Sequence, residues 1–134
     1  MTVKAYNQPL NLGLRFILEV FGFYALGAYG LFAFDSPWHV VAAACFPLTA
    51  ALVWGIFRVP NDGGTPKVKV HGKTRLLIEF LFFSFSVAAL LAREEVAIAL
   101  VYGISILGHY VYSRERVKVL WLNGLLEAPF NPEA

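Results

Sequence analysis

The sequence predicts an all-α polytopic membrane protein in which four transmembrane helices form two helical hairpins in parallel repeat, with both termini cytoplasmic (N-in/C-in). Three observations predict it: the composition is too apolar for a soluble domain, four apolar stretches approach the length of a bilayer crossing, and the first and third of them carry the same pair of charges. Of 134 residues, 58% are hydrophobic and only 15% charged, with a mean hydropathy of +0.62. An ordinary soluble domain carries about 25% charged residues. The same figures exclude disorder, and a formal net charge of +2 disfavours a nucleic-acid partner. The one cysteine, Cys45, leaves no intramolecular disulfide, no Cys/His spacing suggests a metal site, and no cofactor is expected.

A crossing helix needs roughly 20 mostly apolar residues. The predicted spans cover residues 12–34, 38–57, 75–92 and 96–113 of a single four-helix domain, 1–134. The first contains only Arg15 and Glu19 as charges, the second none, the third Glu79 after its opening Arg75, and the fourth only His109 as an ionisable group. Each must be helical, because lipid offers no partner to an open backbone amide. Asp35, Ser36 and Pro37 punctuate the first connection and Arg93 to Glu95 the last. The link 59–74, VPNDGGTPKVKVHGKT, reads as a solvated basic loop, with a short strand over Lys67 to Val70 as the alternative. After Tyr112, the segment 114–134 either prolongs the fourth helix into water or folds back over Val119 to Leu126 as an apolar anchor on the cytoplasmic surface.

Lys and Arg set the orientation. With the amino terminus inside, Lys4, Arg15, Arg58, Lys67, Lys69, Lys73, Arg75, Arg114, Arg116 and Lys118 fall on the cytoplasmic side and Arg93 alone opposite. Trp54, Tyr110, Tyr112 and Trp121 then lie near the inner interface and Trp38 at the outer one.

A shift of 60 positions lays RFILEVFGFYALGA, from Arg15, on RLLIEFLFFSFSVA, from Arg75. Glu19 then falls on Glu79. Glu19 is roughly 10 Å along its helix, a depth at which an ionisable group faces the bundle interior or a cavity. Arg before Glu is the weaker order for a helix dipole, so local helix stabilisation explains the duplication poorly. The expectation is a cluster of Arg15, Glu19, Arg75 and Glu79 with crossed pairs, Arg15 to Glu79 and Arg75 to Glu19. His109 and Trp54 are candidate partners of that cluster. Ala51 with Gly55 and Ala99 with Gly103 form small-residue ridges that either hold the monomer together or build a homodimer, and Gly22, Gly27 and Gly30 do so less regularly.

NLGLRFILE from Asn11, WGIFRVP from Trp54, TRLLIEF from Thr74 and HYVYSRERV from His109 together resemble the YrdB family of small bacterial membrane proteins, over the full length of the chain. The resemblance implies a bacterial inner-membrane location and carries no activity. Arg15, Glu19, Trp54, Arg75, Glu79 and His109 fall in its motifs.

An enzyme is not expected: Ser84, Ser86 and Ser105 have no base close in sequence, and Gly63–Gly64 lacks the following Lys of a phosphate-binding loop. Two readings stand. In the preferred one the chain is a structural, accessory or lipid- and partner-interacting bundle whose basic cytoplasmic face meets anionic headgroups. The alternative is a small transporter or channel subunit, dimeric, using Glu19 and Glu79, similar in scale to the small multidrug resistance exporters. Against it, a glutamate held by arginine is a poor proton exchanger at neutral pH; a cavity reaching both glutamates would favour it.

Overall fold

Residues 3–128 are described by the computed structural model, and they are mostly helical: α1 (Pro9–Ala33), α2 (Trp38–Ile56), α3 (Gly72–Ala92), α4 (Val96–Tyr112) and α5 (Arg114–Trp121), preceded by a 3-10 turn at Ala5–Asn7. Both α1 and α3 begin three residues before their expected starts. Pro9 lies in the first turn of α1, where its missing N–H costs no hydrogen bond. At the head of α3 the Gly72 N–H, otherwise an orphan of the first turn, donates to the Asn123 side chain at 3.1 Å. That partner comes from 51 residues away, so no local signal marks the start.

By length and composition, α1, α2 and α3 can each cross a membrane, and α4 with α5 makes a fourth span only if the pair, bent by 71°, counts as one. The bend falls at Ser113, whose buried side chain is held by Asn11 of α1. The carboxyl-terminal segment folds back, as one alternative has it, but from Ser113 and not from Val119. It turns back onto the head of α3, so that Leu120 and Leu126 are buried with Tyr6 and Val59 in a small apolar cluster, while Trp121, Leu122 and Leu125 stay exposed. Residues 129–134 of that segment lie outside the described residues.

The link between α2 and α3 is more ordered than a solvated loop. β1 (Phe57–Arg58) and β2 (Val68–Lys69) pair in parallel, Phe57 opposite Val68 and Arg58 opposite Lys69. Lys67 to Val70 therefore takes the strand alternative, because the turn over residues 59–67 returns the chain beside the end of α2.

The main core joins α1, α3 and α4 through Leu18, Phe82, Phe83, Leu90, Tyr102 and Ile106, with Trp54 of α2 at one end. Elsewhere α2 leans chiefly on α1. The close approach is made by the less regular glycines. A Cβ at Gly30 would overlap the backbone of Ala42 and Ala43, and one at Gly22 would meet the Phe82 and Tyr102 side chains, whereas Gly55 and Gly103 face open space. Gly30→Leu is accordingly expected to lower unfolding stability in detergent by about 1–3 kcal/mol. Gly55→Ala should leave thermal unfolding unchanged; equal losses from the two would refute this assignment of the packing surface.

Candidate functional site

One end of the bundle gathers six ionised side chains from four elements. The i, i+4 spacing on α1 puts Arg15 and Glu19 on one face, and the same spacing on α3 does so for Arg75 and Glu79. Asp62 comes from the link. Asn61, Gly63 and Gly64 around it adopt positive φ angles of 63°, 83° and 105°, a backbone region open to glycine and tolerated by asparagine, and this turn buries the Asp62 side chain. Arg116 comes from α5.

Asp62 is the hub. Arg15 donates to it through both terminal nitrogens, at 2.8 and 3.3 Å. Arg116 donates through Nε and Nη2, at 3.0 and 2.7 Å. Such two-pronged contacts are the strongest arginine–carboxylate geometry. The Arg75 Nε lies a further 3.6 Å from the same carboxylate. Burial alone would raise the Asp62 carboxyl, but the guanidiniums of Arg116 and Arg15 outweigh it and hold the group well below the usual carboxylate range.

Glu79, 1% exposed, is equally satisfied. Arg116 donates to both of its oxygens at 2.5 and 3.1 Å, Arg75 at 3.2 Å and the Tyr110 hydroxyl at 2.6 Å. Arg75 does more than pair. Its Nη1 donates to the Trp54 and Phe57 carbonyls at 2.9 and 2.8 Å, closing the carboxyl-terminal end of α2 where helix carbonyls lack internal partners. Its guanidinium also lies 4.3 Å from the Trp54 ring centre, with Arg15 6.0 Å from the same ring.

This geometry keeps one of the crossed pairs and corrects the other. Arg15 does approach Glu79, at 3.7 Å, but its short carboxylate contacts are Glu19 at 2.9 Å and Asp62. Among the described residues Arg75 makes no ion pair with Glu19. Its own helix already presents Glu79 one turn on, and its Nη1 is taken by the Trp54 and Phe57 carbonyls. Trp54 is buried in the core, its ring against the guanidinium groups of Arg75 and Arg15. His109 belongs to a separate network. The Asn11 amide donates to Ser113 at 2.7 Å and the Ala5 carbonyl at 3.3 Å, which leaves its oxygen to accept from His109 Nδ1 at 2.9 Å and assigns the proton to that nitrogen. This second set ties α1 to the α4–α5 bend.

Sequence reasoning missed Asp62, Arg116, Tyr110 and Asn11 as site residues. The NDGG turn was the one available signal, since it forces a tight loop around an acid. Beside the network lies a cavity of about 370 Å³, with Arg15, Glu19, Trp54, Arg58, Asp62 and Arg116 on its wall. Glu79 does not line it. Among the described residues no three His, Cys, Asp or Glu side chains are grouped as a metal ion would need. What the arrangement can do chemically is hold the link and α5 against the bundle and present arginine donors to the cavity.

The family described as "Protein of unknown function (DUF2568)" matches residues 13–107. The chain is 37% identical over 123 residues to an uncharacterised protein, YrdB, of Bacillus subtilis (strain 168), a match that covers 90% of this chain and 98% of that one. No solved structure matches it.

Proposed function

The chain belongs to the DUF2568 family, and from that premise we propose that it is a multi-pass protein of the bacterial inner membrane acting as a structural, accessory or lipid-interacting bundle and not as a catalyst. In this reading α1 to α4 cross the membrane as two parallel-repeat hairpins with both termini inside. Lys4, Arg58, Lys67, Lys69, Lys73, Arg114 and Lys118 then share the cytoplasmic face with the charge network, and Arg93 stands opposite. That distribution is what the positive-inside rule requires, and it presents a basic face to anionic headgroups.

One observation carries the reading: the network's three guanidiniums, Arg15, Arg75 and Arg116, are balanced by three carboxylates, Glu19, Asp62 and Glu79, in mutual contact. A buried group matched in this way is suited to fixing structure. Proton transport needs a carboxylate free to exchange, and Glu79 has every oxygen engaged.

The transporter reading keeps one favourable observation, that Glu19 lines the cavity and has Arg15 as its close partner. Proteoliposomes holding a pH gradient decide between the two. With or without ethidium as a cationic probe, the gradient is expected to decay as in protein-free vesicles; an ethidium-dependent flux abolished by Glu19→Gln would overturn the bundle. Orientation is tested by cysteine labelling in a Cys45→Ala background. In intact spheroplasts an impermeant maleimide should reach Asp35→Cys and not Lys69→Cys, and the reverse pattern would invert the topology.

A further inference from the structure

We propose that the seam between α1, α2 and α3 is a binding site for one anionic phospholipid, its phosphate at the cytoplasmic-end cavity and an acyl chain in the apolar groove that adjoins it at Trp54. This rests on the lipid-interacting reading above and names the lipid class.

The polar half is the cavity of about 370 Å³ beside the charge network. Its wall carries four arginines, of which Arg15, Arg75 and Arg116 are already matched by carboxylates. Arg58 is the surplus. Among the described residues it makes no ion pair, its Nε is buried without a hydrogen-bond partner, and it touches only the Gly63 carbonyl through Nη1. The site is therefore one positive charge in excess, carried by Arg58 on its wall. Guanidinium is suited to phosphate, which accepts its planar fork in two-pronged contacts.

The apolar half is a groove of about 920 Å³ between α2 and α3, floored by α1, with Leu26, Cys45, Ala50, Ile78, Phe85 and Ala88 among its lining. Each of the two spaces falls within the roughly 300–1,000 Å³ that small-molecule sites occupy. They follow one line. Arg15, Glu19 and Leu26 share a face of α1, and Arg75, Ile78, Phe82 and Phe85 share a face of α3. Trp54 lines both. A polar, cationic chamber at the inner headgroup level and an apolar groove at hydrocarbon depth, adjoining at Trp54, match an amphiphile. A free phosphate would leave the groove unused. A second copy of the chain would place a helix there with no anion for Arg58.

Native mass spectrometry of the protein in dodecyl maltoside, with added phosphatidylglycerol, phosphatidylcholine or glycerol phosphate, tests this. One phosphatidylglycerol is expected to be retained about tenfold more strongly than phosphatidylcholine. Arg58→Gln should remove most of that preference with the unfolding temperature unchanged, because Arg58 is only half-buried and holds no ion pair. Ala88→Phe, filling the groove from an exposed position, should weaken both lipids. Equal retention of the two lipids, an unaltered preference in Arg58→Gln, or displacement of the lipid by glycerol phosphate would overturn the site. So would a lipid-free dimer broken by Ala88→Phe, which would assign the groove to a second copy. These outcomes leave the bundle reading intact, since only the Glu19-dependent flux described above defeats that.

Discussion

Asp62→Ala is expected to lower the unfolding free energy of the detergent-solubilised protein by about 3–5 kcal/mol, the range for removing one partner of a buried ion pair. Asp62 is 6% exposed and receives two nitrogens each from Arg15 and Arg116. Without it, three guanidiniums face two carboxylates and repel one another at that end of the bundle. The cost arises from the charges left behind, so adding Arg116→Leu should recover part of it. The pH dependence has a fixed sign. The Asp62 carboxyl is held below its ordinary value near 3.9, so its contribution is present at and above that value and is lost only as pH falls through the depressed one. The gap between wild type and Asp62→Ala should therefore be constant from pH 8 to 5 and shrink in stronger acid, as read by circular dichroism of thermal and denaturant unfolding. A loss under about 1 kcal/mol, or a gap that closes by pH 5, would remove Asp62 from the centre of the network.

The long apolar helices were legible because hydrophobic length is a property of contiguous residues, and the Arg15–Glu19 and Arg75–Glu79 pairs because four-residue spacing fixes a helix face. Their partners were not. Arg15 meets Asp62 across 47 residues and Arg116 meets it across 54, and nothing local encodes such distances. Arg116 lay in a segment whose two expected courses both carried it away from the bundle; the turn at Ser113 that brings it back depends on Asn11, 102 residues earlier. The small-residue ridges were open between monomer packing and a homodimer, and within the monomer the close contact falls elsewhere for a related reason. Ala51 with Gly55 satisfies the spacing of a close-packing motif, but spacing does not say which face meets a neighbour, and the contact falls to Gly30. Gly72 is similar: its missing Cβ admits the Leu120 backbone of α5, a reason invisible until α5 is placed.

Arg116 and Glu79 are expected to show the strongest coupling in the molecule, about 2 kcal/mol or more in a double-mutant cycle of Arg116→Leu and Glu79→Gln. Both side chains are buried, and two nitrogens meet two oxygens. Because Arg116 also grips Asp62, it joins α3 and the link to α5 at a single guanidinium. Beyond this contact α5 and the chain after it have a short attachment through Leu120, Leu126 and the Asn123–Gly72 hydrogen bond. Arg116→Leu should therefore open α5 locally before the bundle unfolds, and trypsin should cut after Arg114 and Lys118 faster than in wild type. Glu79→Gln alone should raise the cutting less, since Asp62 still holds Arg116. The control is the cycle of Arg75→Gln with Glu19→Gln, whose coupling should be near zero because those side chains do not pair. A coupling there as large as that of Arg116 with Glu79 would reinstate the crossed arrangement.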